Sequence, residues 1–590
     1  MSGNQRFSTV GRSQWGLIAL VFLGACASHQ DIYIHNARIW TNDPSNPIAN
    51  SMHICDSVIV AIGDGVRQRC NKAGHGPFSG TAVSIVDGGG ATVIPGLIDA
   101  HLHLISGGQQ LSRLNLRDVS DREAFVAEVA ERAKQTPKGQ WITGGRWSTE
   151  SWSDPAQPTK EWIDESTSDH PVLLSRMDGH GALANSVALR AAGIGLYGPP
   201  DPPGGVIDRH PITGEPTGIL KESAIGLVSR HIPPPTDEEL EKALLAAQVE
   251  AHRHGITGVH TMSPYRELVV IDRAHTAGKL TLRVRLYISE NDWGEYLDRA
   301  KAHRGDEMVR VCGFKQFADG SLGSRTAYMV EPFKDNPKER HTNRGVLREV
   351  FEEEGHLETM IDAAYAAKLG SAIHAIGDLA NHMVLDIYDK ILAQHGKTTS
   401  EHHGSSTSTP QSAIRDSQFP RLRIEHAQHL LPGDISRFAR LGVIASMQPL
   451  HKADDARYAE KAIGTERCKT SYAFRSLLDA GAPLAFGSDW PVVSINPFFG
   501  VHAAVTARTL DGGIFMPEQS IRVEEALQAY TNGAAWAAGD ESRLGRLAPG
   551  YLADFVILDR DLFAIEPDEL KNVGVKATYV GGRCVWSAVK

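Results

Sequence analysis

The chain has 590 residues, 41% of them apolar and 22% charged, with a formal net charge of -10 and 26 histidines. That length excludes a single small core and calls for one large domain with one or two smaller ones, in an ordinary soluble composition. The acidic balance and the lack of a long basic run argue against a nucleic-acid partner, and the histidine count raises the expectation of metal chemistry.

Residues 1–25 are not read as part of the fold. Arg6 and Arg12 precede an apolar run, residues 15–23 (WGLIALVFL), that is too short for a comfortable membrane span. It ends in Leu23-Gly24-Ala25-Cys26, which resembles the lipobox of bacterial lipoproteins, with Cys26 as the lipidated residue. The expectation is an exported protein on the periplasmic face of the cell envelope, touching the membrane only through this anchor. Ala27 is not the aspartate of inner-membrane retention, so the outer membrane is favoured. Five cysteines remain, at scattered spacings, and Cys55 with Cys70 is the only plausible local disulfide pair.

Residues 31–92 alternate apolar and polar positions in short β-branched runs, and residues 543–590 share that texture in ADFVILDRD and ATYVGGRCVW. Both ends are therefore expected to meet in one small β-sandwich. Between them, residues 93–542 alternate strand with helix. A helical pattern at 237–254 precedes the strand at 256–260, and LRVRLYI, VCGFKQFAD, SAIHAIGD, RLRIEHAQ, VIASMQP and PLAFGSDW follow. With the opening strand they make about eight β/α units, which points to an α/β fold built on a (β/α)8 TIM barrel. Residues 140–232, rich in Gly, Pro and Trp, break the alternation and read as a subdomain inserted over the barrel mouth. Residues 396–419 are a polar Ser/Thr-rich loop expected to be flexible, and His402-His403 there read as solvated.

Catalytic groups in such barrels sit at the C-terminal strand ends. The stretch ATVIPGLIDAHLHL delivers His101 and His103 two apart, hence on one face of a strand. Later strands carry Lys315, His374, His426 and Asp489, each after an apolar run and before a turn. Any one alone is better explained as a rim or core residue; the set in register is not. Four imidazoles and a carboxylate suit zinc or a similar divalent ion, and paired ions share bridging ligands. A protonated lysine is a poor ligand, but a carboxylated Lys315 is an anionic bridge; an ion pair with Asp319 or Asp489 is the competing reading.

The segments VIPGLIDAHLH, DGHGALANSVAL, GFKQFADGSLGSRTA, HAIGD, RIEHAQ, GSDWPV and LAPGYLADFVILDRD together resemble the amidohydrolase superfamily, and most its family 3 branch of N-substituted formamide deformylase-like proteins. The resemblance spans the chain after residue 31. It implies that His101, His103 and Asp489 hold one metal, His374 and His426 the other, and that carboxylated Lys315 bridges two divalent ions. It also turns His180 towards a small-molecule substrate. Many relatives carry Gly-Trp-Asp where this chain has Gly145-Arg146-Trp147-Ser148, so the resemblance does not extend to the substrate edge as it does to the metal centre.

The chemistry then expected is hydrolysis of a non-peptide C–N bond in an amide, formamide or cyclic amide, with Asp489 as general base. Rival readings are an ester or cyclic-imide hydrolase with the same centre, and a non-catalytic surface lipoprotein. Arg325 is a candidate for an anionic substrate group, with a structural ion pair as its alternative. Trp147, Trp152 and Trp162 read as packing of the inserted subdomain rather than a pocket wall. A homodimer is a further expectation.

Overall fold

The computed structural model describes residues 31–588 except 65, 67–82, 118, 150–151, 153, 155, 177–180, 204, 290–291, 304, 336–342, 349–354 and 396–419. Cys26, Cys70, His180 and the polar loop at 396–419 therefore lie outside the described residues.

Eight parallel strands form one sheet in chain order: β1 (Leu97–Leu102), β2 (Ile256–Ser263), β3 (Arg283–Ile288), β4 (Val309–Phe317), β5 (Gly370–Ala375), β6 (Leu422–His426), β7 (Ile444–Met447) and β8 (Leu484–Phe486). Every residue of β1, β2, β3, β6, β7 and β8 is buried, as expected of parallel strands covered on both faces. The helix before β2, Asp237–Arg253, starts at a capping box of Thr236 with Glu239 and buries Leu240, Ala243, Leu244, Ala247 and Ala251 at helical spacing. β1 and β8 meet at their C-terminal ends, where the Asp489 amide donates to the His101 carbonyl (2.6 Å) and the His103 amide to the Trp490 carbonyl (2.8 Å). The cylinder is a TIM barrel.

Arg423 on β6 shows what fills it. Its guanidinium reaches the Ala100 carbonyl on β1, His260 on β2, Tyr287 on β3 and Ser446 on β7, which only a side chain inside the cylinder can do. The lumen is thus polar, while the apolar core lies between sheet and helices around Leu244, Val259, Leu286, Phe314 and Val384.

Two sheets made from both chain ends pack over a shared core of Ile32, Ile34, Ile54, Val93, Phe555 and Ile557. One pairs Asp31–His35 with Met52–Cys55 and Val83–Asp87. The other pairs Thr92–Pro95 with Phe555–Leu558, which in turn pairs with Val575–Val580. The apolar run that reads as one strand is therefore two. Thr92–Pro95 belongs to this small sheet, moving its edge from 92 to 95, and the barrel begins at Leu97. Gly96 makes the transfer, since a Cβ there would lie 2.2 Å from Thr257 Oγ1.

The inserted unit begins earlier than 140. Its six-stranded sheet starts with Leu114–Asn115, and helix Arg122–Gln135 packs on it. That two-residue strand gave no sequence signal, and the helix imitates a barrel helix. Phe125 sits edge-on to Trp147, Trp152 and Trp162, with ring centroids 6.4, 6.2 and 6.1 Å away, so the three indoles build the subdomain core. Among the described residues no helix is long and apolar enough to cross a membrane.

Candidate metal centre

Alternation along β1 puts Asp99 and His101 on one face, with His103 two residues further on. β8 can approach them because residue 487 is glycine: a Cβ there would lie 2.4 Å from the His101 amide nitrogen and 2.8 Å from Asp99 Oδ1. Asp99 then ties the two strand ends together, accepting from the Ser488 hydroxyl (2.5 Å), the Ser488 amide (3.0 Å) and the His101 amide (3.1 Å). His426 and Asp489 both stand in left-handed backbone, at φ 74° and 58°, a costly conformation that turns each strand end inward.

The second nitrogen of each imidazole is already committed. His103 Nδ1 donates to the Met262 carbonyl (2.9 Å) and His426 Nδ1 to Gln448 Oε1 (2.7 Å), while His101 Nδ1 donates to the Glu425 carboxylate. These acceptors fix the proton on Nδ1 and leave each Nε2 as a free lone pair. His101 Nε2 lies 3.6 Å and His103 Nε2 3.4 Å from Asp489 Oδ1. His101 Nε2 is buried and, among the described residues, has no hydrogen-bond partner, a cost that a bound cation would remove.

Charge follows the same logic. Burial lowers the His101 and His426 imidazoles, and burial with Lys315 nearby lowers His374 to about 3, so all three are neutral as ligation requires. Glu425 and Arg423 are both fully buried and joined by two hydrogen bonds, 2.5 and 3.0 Å. Burial opposes ionisation of Glu425, yet Arg423 and His101 hold its carboxyl well below the usual range. Burial works against ionisation of Asp489 while its contacts with His103, His101 and His426 favour the carboxylate; with His101 and His426 neutral, a cation held between these rings and Oδ1 would take over that part.

A sequence profile of the amidohydrolase family matches residues 84–586. The chain belongs to that family. Protein LONG AFTER FAR-RED 3 of Arabidopsis thaliana is 39% identical over 94% of this chain and 91% of its own length. N-substituted formamide deformylase of Arthrobacter pascens is 27% identical over 94% of this chain and 98% of its own length. The crystal structure of an uncharacterized metal-dependent hydrolase from Pyrococcus furiosus is 27% identical and superposes with a TM-score of 0.70, covering 91% of this chain and 100% of that one. The protein is a hydrolase of this family, with His and Asp groups placed to hold metal.

The other residues singled out from sequence fall as follows in this amidohydrolase. Lys315 on β4 is buried, and among the described residues it forms no ion pair, with either Asp319 or Asp489. Its ammonium lies over the Phe317 ring at 3.9 Å, and burial lowers it to about 8. Asp319 instead accepts from the amides of Tyr328, Ile376 and Gly377. The His374 ring is 4.4 Å from that of His426, but its Nε2 donates to the Gly320 carbonyl (2.9 Å), which leaves Nδ1 as its free nitrogen. Arg325 is engaged by Asp335 and by the Leu322 and Gly323 carbonyls, the ion-pair alternative for that residue. Sequence reasoning missed Glu425, although it stands inside RIEHAQ, and it missed His451. His451 Nε2 lies 4.0 Å from Asp489 Oδ2, and its donor atom groups with those of His426 and Asp489 within 4.8 Å. No ligand was assigned to VIASMQP, because His451 lies beyond that strand, in the helix that follows it.

Proposed function

We propose that this amidohydrolase cleaves a non-peptide carbon–nitrogen bond, in an amide, formamide or cyclic amide of a small molecule, at the rim where β1, β4, β5, β6 and β8 end. The observation that carries it is the convergence of free Nε2 lone pairs of His101 and His103 on Oδ1 of Asp489, with His101 Nε2 buried and, among the described residues, without a hydrogen-bond partner. His101, His103 and Asp489 would hold one divalent ion and His374 and His426 a second, zinc fitting the nitrogen and oxygen donors. Lys315, a buried amine without a counter-ion among the described residues, suits carboxylation to an anionic bridge. Ions bound there supply a lowered water pKa and a polarised substrate carbonyl. Asp489, ionised and at the rim, takes the proton of the attacking water and returns it to the departing nitrogen, which is otherwise a poor leaving group. Glu425 keeps the His101 ring in the tautomer and orientation this needs. The likeness to a relative named N-substituted formamide deformylase supports the choice of bond. The Leu23–Cys26 motif supports an exported enzyme anchored by lipid on Cys26.

The test is a screen of N-formyl and N-acyl amines against carboxylic esters, using protein as purified and after chelation and zinc reloading. Zinc-dependent release of free amine is expected. Hydrolysis confined to esters, or turnover indifferent to chelation, would overturn the reading.

A further inference from the structure

The structure assigns His451 as an additional metal ligand, acting with His426 and Oδ2 of Asp489, so that the Asp489 carboxylate serves both ions, one oxygen to each. His451 can play that part only if the centre holds metal as proposed above. It stands in the first turn of helix Pro449–Ile463, which follows β7 directly. The residue before that helix, Gln448, gives its side-chain oxygen to His426 Nδ1 rather than capping the helix, so strand end and ligand are fixed together.

Three observations meet on this ring. Its plane is nearly parallel to that of His426, 9° apart with centroids at 6.1 Å. Its Nε2 is buried and, among the described residues, has no hydrogen-bond partner. The 4.0 Å separation from Asp489 Oδ2 is too long for a hydrogen bond. It is, however, a gap one ion can span, because zinc–nitrogen and zinc–oxygen bonds of about 2.0–2.2 Å together reach about 4 Å. Oδ1 of the same carboxylate already faces His101 and His103.

The ring is also held rather than free. Asp455, one helical turn on from His451, accepts from Tyr472 (2.7 Å), from Tyr458 and from the Gln428 amide two residues past His426. That clamp fixes the helix face carrying His451 against the segment carrying His426. Asp455 is a positioning residue here, whereas His451 is the ligand.

The experiment uses full-length protein stripped by chelator and titrated with Co²⁺, read by metal analysis and visible absorption. Wild type is expected to take two equivalents. In H451N one of them should bind at least about tenfold more weakly, with a changed visible band. H451C should recover the second equivalent and add a thiolate-to-cobalt charge-transfer band, which a purely structural role would not produce. Circular dichroism checks that each variant is folded, and the H451C band decides the matter even if H451N is destabilised. Two equivalents with wild-type affinity and spectrum in H451N, or no such band in H451C, would overturn the assignment while leaving the proposed centre standing. A wild type that takes up no cobalt would sink both.

Discussion

Replacing Glu425 by glutamine is the sharpest probe of what organises the centre. The change preserves shape but removes the only carboxylate that, among the described residues, is bonded to Arg423, a guanidinium with no solvent exposure. Its remaining partners, the Ala100 carbonyl (2.5 Å), Ser446 (2.8 Å), His260 (2.9 Å) and Tyr287 (3.4 Å), are all neutral. Breaking a buried ion pair from one side costs about 3–5 kcal/mol, because the surviving charge stays desolvated. The same substitution weakens the partner that fixes the His101 tautomer, so metal affinity should fall by about 10–100-fold. Both effects can be followed in one preparation, by denaturant unfolding of metal-free protein and by zinc titration against a chelating indicator. D389N supplies the control. Asp389 pairs with Arg440 at 2.8 Å on the open surface, where such pairs contribute about 0–1 kcal/mol. If E425Q unfolds at the same denaturant concentration as D389N and binds zinc as wild type does, the lumen charge network does not support the centre.

Three further outcomes are expected. D489N should lose about 10²–10⁴-fold in turnover even when assayed with both ions loaded at saturating zinc, checked by kinetics beside metal analysis; full activity would remove Asp489 from proton transfer. G487A forces a Cβ to 2.4 Å from the His101 amide and should cost about 1–3 kcal/mol together with metal affinity, whereas G226A, with nothing within 4 Å, serves as its benign counterpart in the same unfolding and titration assays. Burial holds His252 at about 4 against its ordinary 6.5, its ring nitrogens lying 2.9 Å from the Ile256 carbonyl and 3.0 Å from Thr281. The unfolded chain takes up the proton first as pH falls, so stability is full above about 6.5 and declines towards 4, by about 3 kcal/mol at the acid end. H252Q should flatten that decline in unfolding midpoints measured between pH 7 and 5, and parallel curves for the two proteins would contradict it.

The barrel was legible because its strands are short apolar runs closed by a polar residue, and the proposed chemistry is placed on that residue. His101, His103, His374, His426 and Asp489 could be read for this reason. His451 could not, because it lies beyond its strand on a helix, in the polar run HKADDARYAEK that resembles a solvated face. Glu425 was masked by position: one residue before a candidate ligand, it points into a lumen whose polarity no hydrophobic pattern announces. Residues 91–104 read as one strand although Pro95-Gly96 breaks the apolar run, and that break is where the chain changes sheet. Composition placed β structure at both chain ends, but it carried no register, and so the boundary drawn at 92 falls short of the edge at 95.

The pairing of Thr92–Pro95 with Phe555–Leu558 has a consequence for biosynthesis. The ribosome releases one partner more than four hundred residues before the other, so that edge of the early sheet waits, uncovered, while the whole cylinder is made. A nascent chain halted before residue 555 would carry a sticky, half-built lip beside the first barrel strand. The last few dozen residues therefore act as a latch, and losing them should leave a protein prone to aggregation rather than a slightly shorter enzyme.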